Sequence, residues 1–337
     1  MGQSIEPKRH HYIPQFILRN FNDKNSQINY WDISAKELQK RNTRSVFMNK
    51  NMYRDEVNYP AHPTLIESTL ADFEAEISEI INGKLLSTNE VVITRTELEK
   101  LRIFLSLLSF RSDSRKDQYQ NNKFDEETRK VLKDFSTDDF ELLWKKELME
   151  LAQCRSYEEI RKNNKIDEII KTDFFNDLNG MYMTLVDSYC GDFVITDIYP
   201  TLEIFPIQPQ INIHLHCFYP LSPTRILILN HIMFKQATNS ILLESMKAFS
   251  QIRGALLSMP INKYSHQGKM SPEDEFIYQP QKASFDDVQY ISALQLNEAR
   301  IGIAFQNAEK ITDSVFAFNR RTDTKQKFFE LEKELKK

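Results

Sequence analysis

Two histidines stand side by side in the stretch KRHHYIPQFILRNF, residues 8–21, of a chain that has only seven. Imidazole titrates near neutrality, so His10 or His11 could pass a proton as general acid or base, or bind a metal ion. Pro14 holds Ile13 extended and suits the first position of a helix. The pair is therefore expected at the mouth of a short helix, with Ile17, Leu18 and Phe21 facing inward and Gln15, Arg19 and Asn22 outward. A helix N-terminus offers unpaired N–H groups and partial positive charge to an anion, and Lys8 and Arg9 strengthen that preference. This is equipment for phosphodiester chemistry, with His10, His11 and Gln15 as candidate catalytic residues and Arg9 as a substrate-binding one. Successive strand residues face opposite ways, His10 with Tyr12 and His11 with Ile13. Ile13 reads as core-directed, so His11 is expected to be the buried, orienting ring and His10 the accessible one.

Further candidates lie elsewhere. Arg111 and Arg115, four residues apart, would share a helix face and clamp a phosphate bidentately; the alternative is that they bond terminal carbonyls and nearby acids. Asp197 closes the run VITD and is a candidate catalytic carboxylate, or else a cap on the turn toward Pro200. His214 and His216 share one face of a strand and could supply two metal ligands, or simply pack across strands. With His10 and Glu74 they complete the metal candidates, and a divalent ion is the cofactor these residue types suggest. HHYIP also resembles a fragment of the HNH nuclease pattern, in which His10 would bind metal and His11 would be the base, the reverse of the strand argument. The further Asn and His of that pattern have no matching positions, since Asn20 is too close and His62 lies beyond a predicted sheet.

Composition narrows the classes. Seven glycines in 337 residues, with no GxGxxG or GxxxxGK[ST], remove the Rossmann and P-loop nucleotide folds. HExxH and GxSxG are absent as well. Three scattered cysteines and no apolar leader or spanning run point to a cytoplasmic protein with no membrane segment. The net charge of −4 conceals an asymmetry: residues 1–54 carry ten Lys/Arg against four acids, a local +6. RNA or DNA is the partner this end would suit, unless acidic helices elsewhere balance it.

The elements that must position these residues read as an α+β fold, mainly helical with one or two small antiparallel sheets, in a single domain spanning 1–312. A small sheet is expected over 27–55, a helical core over 64–190, a β region over 191–231 and helices over 239–310, with 313–337 a charged tail. Within the core, residues 64–81 set Leu65, Leu70, Phe73, Ile77, Ile80 and Ile81 on one face before the Asn82-Gly83 stop. Thr96 with Glu99 reads as the capping box of the next helix. Residues 165–190 read as helical, strands are expected in 191–197, 211–223 and 225–231, and a last long helix over Phe285–Lys310.

Taken in order, HHYIPQFILRNF, MNKNMYRD, IESTLADFE, FLSLLSFRSDSR, FVITD followed by Pro200, FYPLSP and LNEARIGIAFQNAEKI resemble the bacterial domain-of-unknown-function family 4238 across nearly the whole chain. The resemblance picks out His10, His11, Tyr12, Pro14, Gln15, Phe21, Tyr53, Glu67, Glu74, Arg111, Arg115, Asp197, Pro220, Ser222, Pro223, Asn307 and Glu309. The family usually reads Ser/Thr-Asp-Asn-Pro near Asp197, whereas here Ile198 and Tyr199 separate Asp197 from Pro200. It implies one full-length domain to which both ends contribute, and brings no activity with it. From the residues themselves the expected function is a phosphodiesterase or nuclease in a bacterial defence or toxin setting. The alternatives are a non-catalytic regulatory domain binding nucleic acid or protein, and a purely architectural role for the opening motif.

Overall fold

A computed structural model describes residues 9–124, 126, 128–130, 139–208, 211–237, 240–266, 269–321 and 327–336. The fold is α+β, but the strands among the described residues form four sheets rather than one or two. Contacts divide the chain into two compact units: the first takes the chain up to Pro14, Phe47–Gly83 and Thr94–Asn179, the second Gln15–Val46, Lys84–Ile93 and the chain from Gly180 onward.

The first unit is helical around one small sheet. Strand Arg9–His11 runs antiparallel to Met48–Lys50, with His10 opposite Asn49 and His11 opposite Met48. Helix Leu65–Ile80 buries Ile66, Leu70, Phe73, Ile77 and Ile80, a spacing that follows the 3.6-residue period. It passes the expected Asn82-Gly83 stop in one π-helical turn, Ile81–Leu85. The next helix, Arg95–Phe110, is capped by Thr94 and Glu97 rather than by Thr96 and Glu99. Thr94 ends a strand and is already extended (φ −75°, ψ 165°), the conformation a cap needs; Thr96 lies inside the first turn. Phe73 meets Phe104 edge to face at 5.4 Å, and Trp144, from helix Phe140–Gln153, donates to the Phe110 carbonyl at 2.9 Å.

The second unit is built on a five-stranded sheet in the order Gln281–Lys282, Met181–Asp187, Arg225–His231, Ile211–Ser222, Thr201–Gln208. Met181–Asp187 was expected to be helical; the preceding helix, Glu168–Asn179, stops before Gly180, and the run MYMTLVD pairs residue by residue with Arg225–His231. Val186, Phe218, Ile226 and Ile228 pack with Val288 and Ile291 from helix Phe285–Glu298. The expected sheet over 27–55 is divided: the hairpin Ile28–Asp32 and Glu37–Arg41 joins Gly302–Phe305 and Ile195–Thr196, while Met48–Lys50 pairs only with Arg9–His11. A three-stranded sheet, Ile261–Lys263, Glu275–Tyr278 and Val91–Thr94, completes the set.

The single long helix expected over Phe285–Lys310 is broken into helix Phe285–Glu298, strand Gly302–Phe305 and helix Ala308–Asn319. A Cβ at Gly302 would stand 2.3 Å from the Tyr30 hydroxyl oxygen and 2.7 Å from the Trp31 carbonyl, so glycine is what lets this strand close on the hairpin. The segment read as a charged tail contributes helix Phe329–Leu335, and Phe328 and Leu331 are buried with Trp31, Phe305 and Phe318. Among the described residues no helix is long and apolar enough to cross a membrane.

Candidate functional site

In the first unit His10 is completely buried. The Tyr53 backbone N–H donates to its Nδ1 at 2.8 Å, and the two rings stack at 5.5 Å with 11° between planes. An accepting Nδ1 carries no proton, which leaves the proton of the neutral ring on Nε2. His11 is 7% exposed, and its backbone carbonyl accepts from Arg111 Nη2. Burial of His11 agrees with the expectation, but His10 is not accessible: it is the more deeply sealed ring of the two. Tyr53 covers it after the tight turn at Asn51, whose φ is +53°.

Arg111 sits where helix Arg95–Phe110 ends and is 1% exposed. Its Nη1 pairs with Glu74 Oε1 at 2.6 Å and its Nε approaches the Tyr53 hydroxyl at 3.4 Å, while that hydroxyl donates to the Arg111 carbonyl at 3.0 Å. Burial alone would favour a neutral guanidinium, but Tyr53, Glu74 and Glu67 oppose it and hold the group charged, its pKa above the ordinary value. Burial likewise pushes the Tyr53 hydroxyl up to about 12. Glu67 lies two turns before Glu74 on helix Leu65–Ile80. Burial raises its carboxyl to about 7, with Arg111 pulling down and Glu74 pushing up. Its Oε2 is buried without a hydrogen-bond partner among the described residues. The result is a carboxyl poised at neutrality near a charged guanidinium.

Residues far apart in sequence assemble this cluster: His10, His11, Tyr53, Glu67, Glu74 and Arg111 were all picked out by the family resemblance. The chemical reading took Glu74 as a metal candidate or, in place of Asp197, as the site's carboxylate, and missed Glu67 and Tyr53. The available signal was the seven-residue spacing of Glu67 and Glu74, two carboxylates on one face of a helix whose neighbouring face is apolar.

The other expected site residues are placed differently. Ser112 Oγ accepts the Arg115 N–H at 3.2 Å and caps a new helix, Asp113–Gln120, so Arg111 and Arg115 do not share a helix face. Arg115 instead lies 5.9 Å over the Phe110 ring and donates to Gln118 at 3.0 Å, and the phosphate clamp is not assembled. Arg9 is exposed opposite exposed Lys50, and Lys8 lies outside the described residues. Gln15 belongs to the second unit, accepts from Arg19 at 3.2 Å, and opens a helix of only five residues, Gln15–Arg19, too short to sum much of a dipole.

Asp197, also in the second unit, is 4% exposed, and its Oδ1 accepts the N–H groups of Arg300, Ile301 and Gly302 at 2.9, 2.9 and 3.2 Å. It staples the turn into strand Gly302–Phe305 rather than the turn toward Pro200. His216 is fully buried with its Nδ1 2.7 Å from Asn230 Oδ1, while His214 is half-buried. Among the described residues no three His, Cys, Asp or Glu side chains converge as a metal-ligand set. The metal candidates are divided, His10 and Glu74 in the first unit and His214 and His216 in the second. The basic N-terminal stretch is divided as well, and within the second unit Lys40 pairs with Asp23 at 2.6 Å and Arg41 with Asp32 at 3.4 Å. Of the three cysteines, Cys154 and Cys217 are buried and Cys190 is exposed.

Over residues 9–309 the chain matches the model of a family described as Protein of unknown function (DUF4238). Neither a curated protein nor a solved structure matches it.

Proposed function

The chain belongs to the DUF4238 family, and we propose that it is a phosphodiesterase acting on RNA or DNA in the cytoplasm, in a bacterial defence or toxin setting. The observation that carries this reading is Glu67, whose carboxyl is raised by burial to about 7 with an unpartnered oxygen, near the Arg111 guanidinium that bonds the His11 carbonyl. General acid–base catalysis works best when the group's pKa lies near the working pH, and burial is how proteins bring a glutamate there. In this reading Glu67 and His11 exchange protons with the substrate. His10 and Arg111 are positioning residues, since the first holds Tyr53 and the second ties Glu74 to the His11 carbonyl. Exposed Arg9 and Lys50, paired across the small sheet, offer charge to the phosphate backbone.

One observation favours a second reading. With both imidazoles buried and Arg111 engaged by Glu74, Tyr53 and His11, HHYIP can serve as an architectural lock on the first unit. The two readings separate on labelled single- and double-stranded RNA and DNA, incubated with the full chain in Mg²⁺, in Mn²⁺ or in chelator. The enzymatic reading expects cleavage that falls by about 10²-fold or more in Glu67→Gln and in His11→Ala, the usual range for losing an acid–base group, without a matching loss of folded protein. If the wild type cleaves none of these substrates, or if both variants lose activity only in step with their fold, the lock is the function of the motif.

A further inference from the structure

In the second unit three neighbouring strands set Glu203, His216 and Asn230 in one row, with Glu203 opposite His216 and His216 opposite Asn230. The Asn230 amide nitrogen donates to Thr184 Oγ1 at 2.9 Å and to the Leu256 carbonyl at 3.2 Å. Thr184 spends its own hydroxyl proton on the Ser258 carbonyl at 2.8 Å, so both of these partners are acceptors. That fixes the amide and turns Asn230 Oδ1 toward His216 Nδ1, which must therefore carry the ring proton. The other ring nitrogen, Nε2, is left as a lone pair. It is buried, has no hydrogen-bond partner among the described residues, and lies 4.0 Å from Glu203 Oε2.

Glu203 is itself 2% exposed and held from both sides: Tyr290 donates its hydroxyl to Oε1, and Ser250 donates to Oε2 at 2.9 Å. Burial raises the Glu203 carboxyl against the pull of Tyr290, Ser250 and Arg253, and lowers His216 to about 3, so the ring stays neutral beside it. Glu203 and Tyr290 also line a cleft of about 420 Å³ walled by Leu202, Ile204, Phe249 and Leu294. That volume lies in the range of small-molecule sites, which combine apolar walls with a few placed polar groups. Its other charged lining groups are Glu298 and Arg321, so two carboxyls face one guanidinium.

We propose that this cleft binds a small amine with an apolar body, the ammonium group seated on Glu203 and the body on the aliphatic and aromatic walls. Where the raised carboxyl carries a proton, the ammonium ion displaces it to solvent, at most one proton per ligand bound. The resulting carboxylate then accepts from Tyr290, Ser250 and the ligand. His216, a neutral ring, adds no positive charge against the amine. Phenylacetate, which has the same apolar body and the opposite charge, is excluded.

The test is isothermal titration of the full chain with 2-phenylethylamine and with phenylacetate, repeated in two buffers of different ionisation enthalpy. The amine should bind saturably with release of a fraction of a proton, and bind about tenfold or more weakly to Glu203→Gln, with the proton release gone. Ile204→Trp, at a wall position that is 37% exposed and tolerant of a larger ring, should block binding at an unchanged melting temperature. The proposal is overturned if the wild type gives no saturable heat with the amine at millimolar concentration, if Ile204→Trp binds as the wild type does, or if phenylacetate binds as tightly as the amine.

Discussion

Replacing Arg111 by methionine keeps the length of the side chain and removes its charge and all its donors. In the folded protein this guanidinium is 1% exposed, stands 2.6 Å from the Glu74 carboxylate, and bonds the His11 carbonyl and the Tyr53 hydroxyl. Removing one partner of a buried ion pair costs about 3–5 kcal/mol, chiefly because the remaining charge stays desolvated. The Glu74 side chain is 21% exposed and can recruit some water, which puts the expected loss near the lower end, about 3 kcal/mol. If stranding Glu74 is the main cause, Arg111→Met/Glu74→Leu should recover at least about 1 kcal/mol of that loss, a coupling of the size found between contacting residues. Urea unfolding followed by Trp144 fluorescence reads the first unit, because this ring lies 6.0 Å from Tyr53. A Trp31→Phe background silences the other tryptophan, whose ring nitrogen makes no hydrogen bond among the described residues. An Arg111→Met midpoint within about 0.5 kcal/mol of the wild type, the scatter of neutral surface changes, would refute the lock and return Arg111 to the pool of substrate-binding groups.

Glu67→Gln should stabilise the protein only at higher pH. Glu67 titrates at about 7 in the folded state against an ordinary 4.5, so the unfolded chain ionises first and the wild type loses stability as pH rises from 4.5 through 7. The variant should therefore match the wild type near pH 4 and exceed it by up to about 3 kcal/mol near pH 8, and a constant difference across that range would contradict the assignment. Asp197→Ala strands three backbone N–H groups and should cost about 3 kcal/mol or more, whereas Asp197→Asn keeps the accepting Oδ1 and should cost less than half of that. Nuclease activity lost in a fully stable Asp197→Asn would instead mark Asp197 as catalytic. Gly302→Ala drives a methyl group into Tyr30 and the Trp31 carbonyl, and should destabilise the second unit by about 3 kcal/mol in thermal or urea unfolding.

Local patterns foretold local structure. The apolar period marked helix Leu65–Ile80, and Pro14 correctly divided an extended segment from a short helix; Ile17 and Leu18 within it and Phe21 just beyond it are buried. Met181–Asp187 escaped because a short apolar run buried on both faces has no period to distinguish strand from helix. The capping box was displaced by two residues because Thr94 and Thr96 have the same chemistry, and only the strand before Thr94 decides between them. Alternation placed His10 and His11 on opposite faces but could not say which face would be covered. The covering groups, Tyr53 and Arg111, come from 43 and 100 residues away. Asp197 was legible as a carboxylate at a strand end, but its three partners lie more than a hundred residues downstream, and pattern reading does not reach so far.

The chain passes between its two units five times, at Pro14, Val46, Gly83, Ile93 and Asn179. On the ribosome, hairpin Ile28–Asp32/Glu37–Arg41 emerges early, yet the strand that completes its sheet, Gly302–Phe305, is among the last segments made. At translation rates of about 5–20 residues per second, the inner edge of that hairpin waits roughly 15–50 s for its partner. A gene cut at any one point would leave at least one unit short of strands or helices it needs, so no single cut yields both units as free-standing pieces.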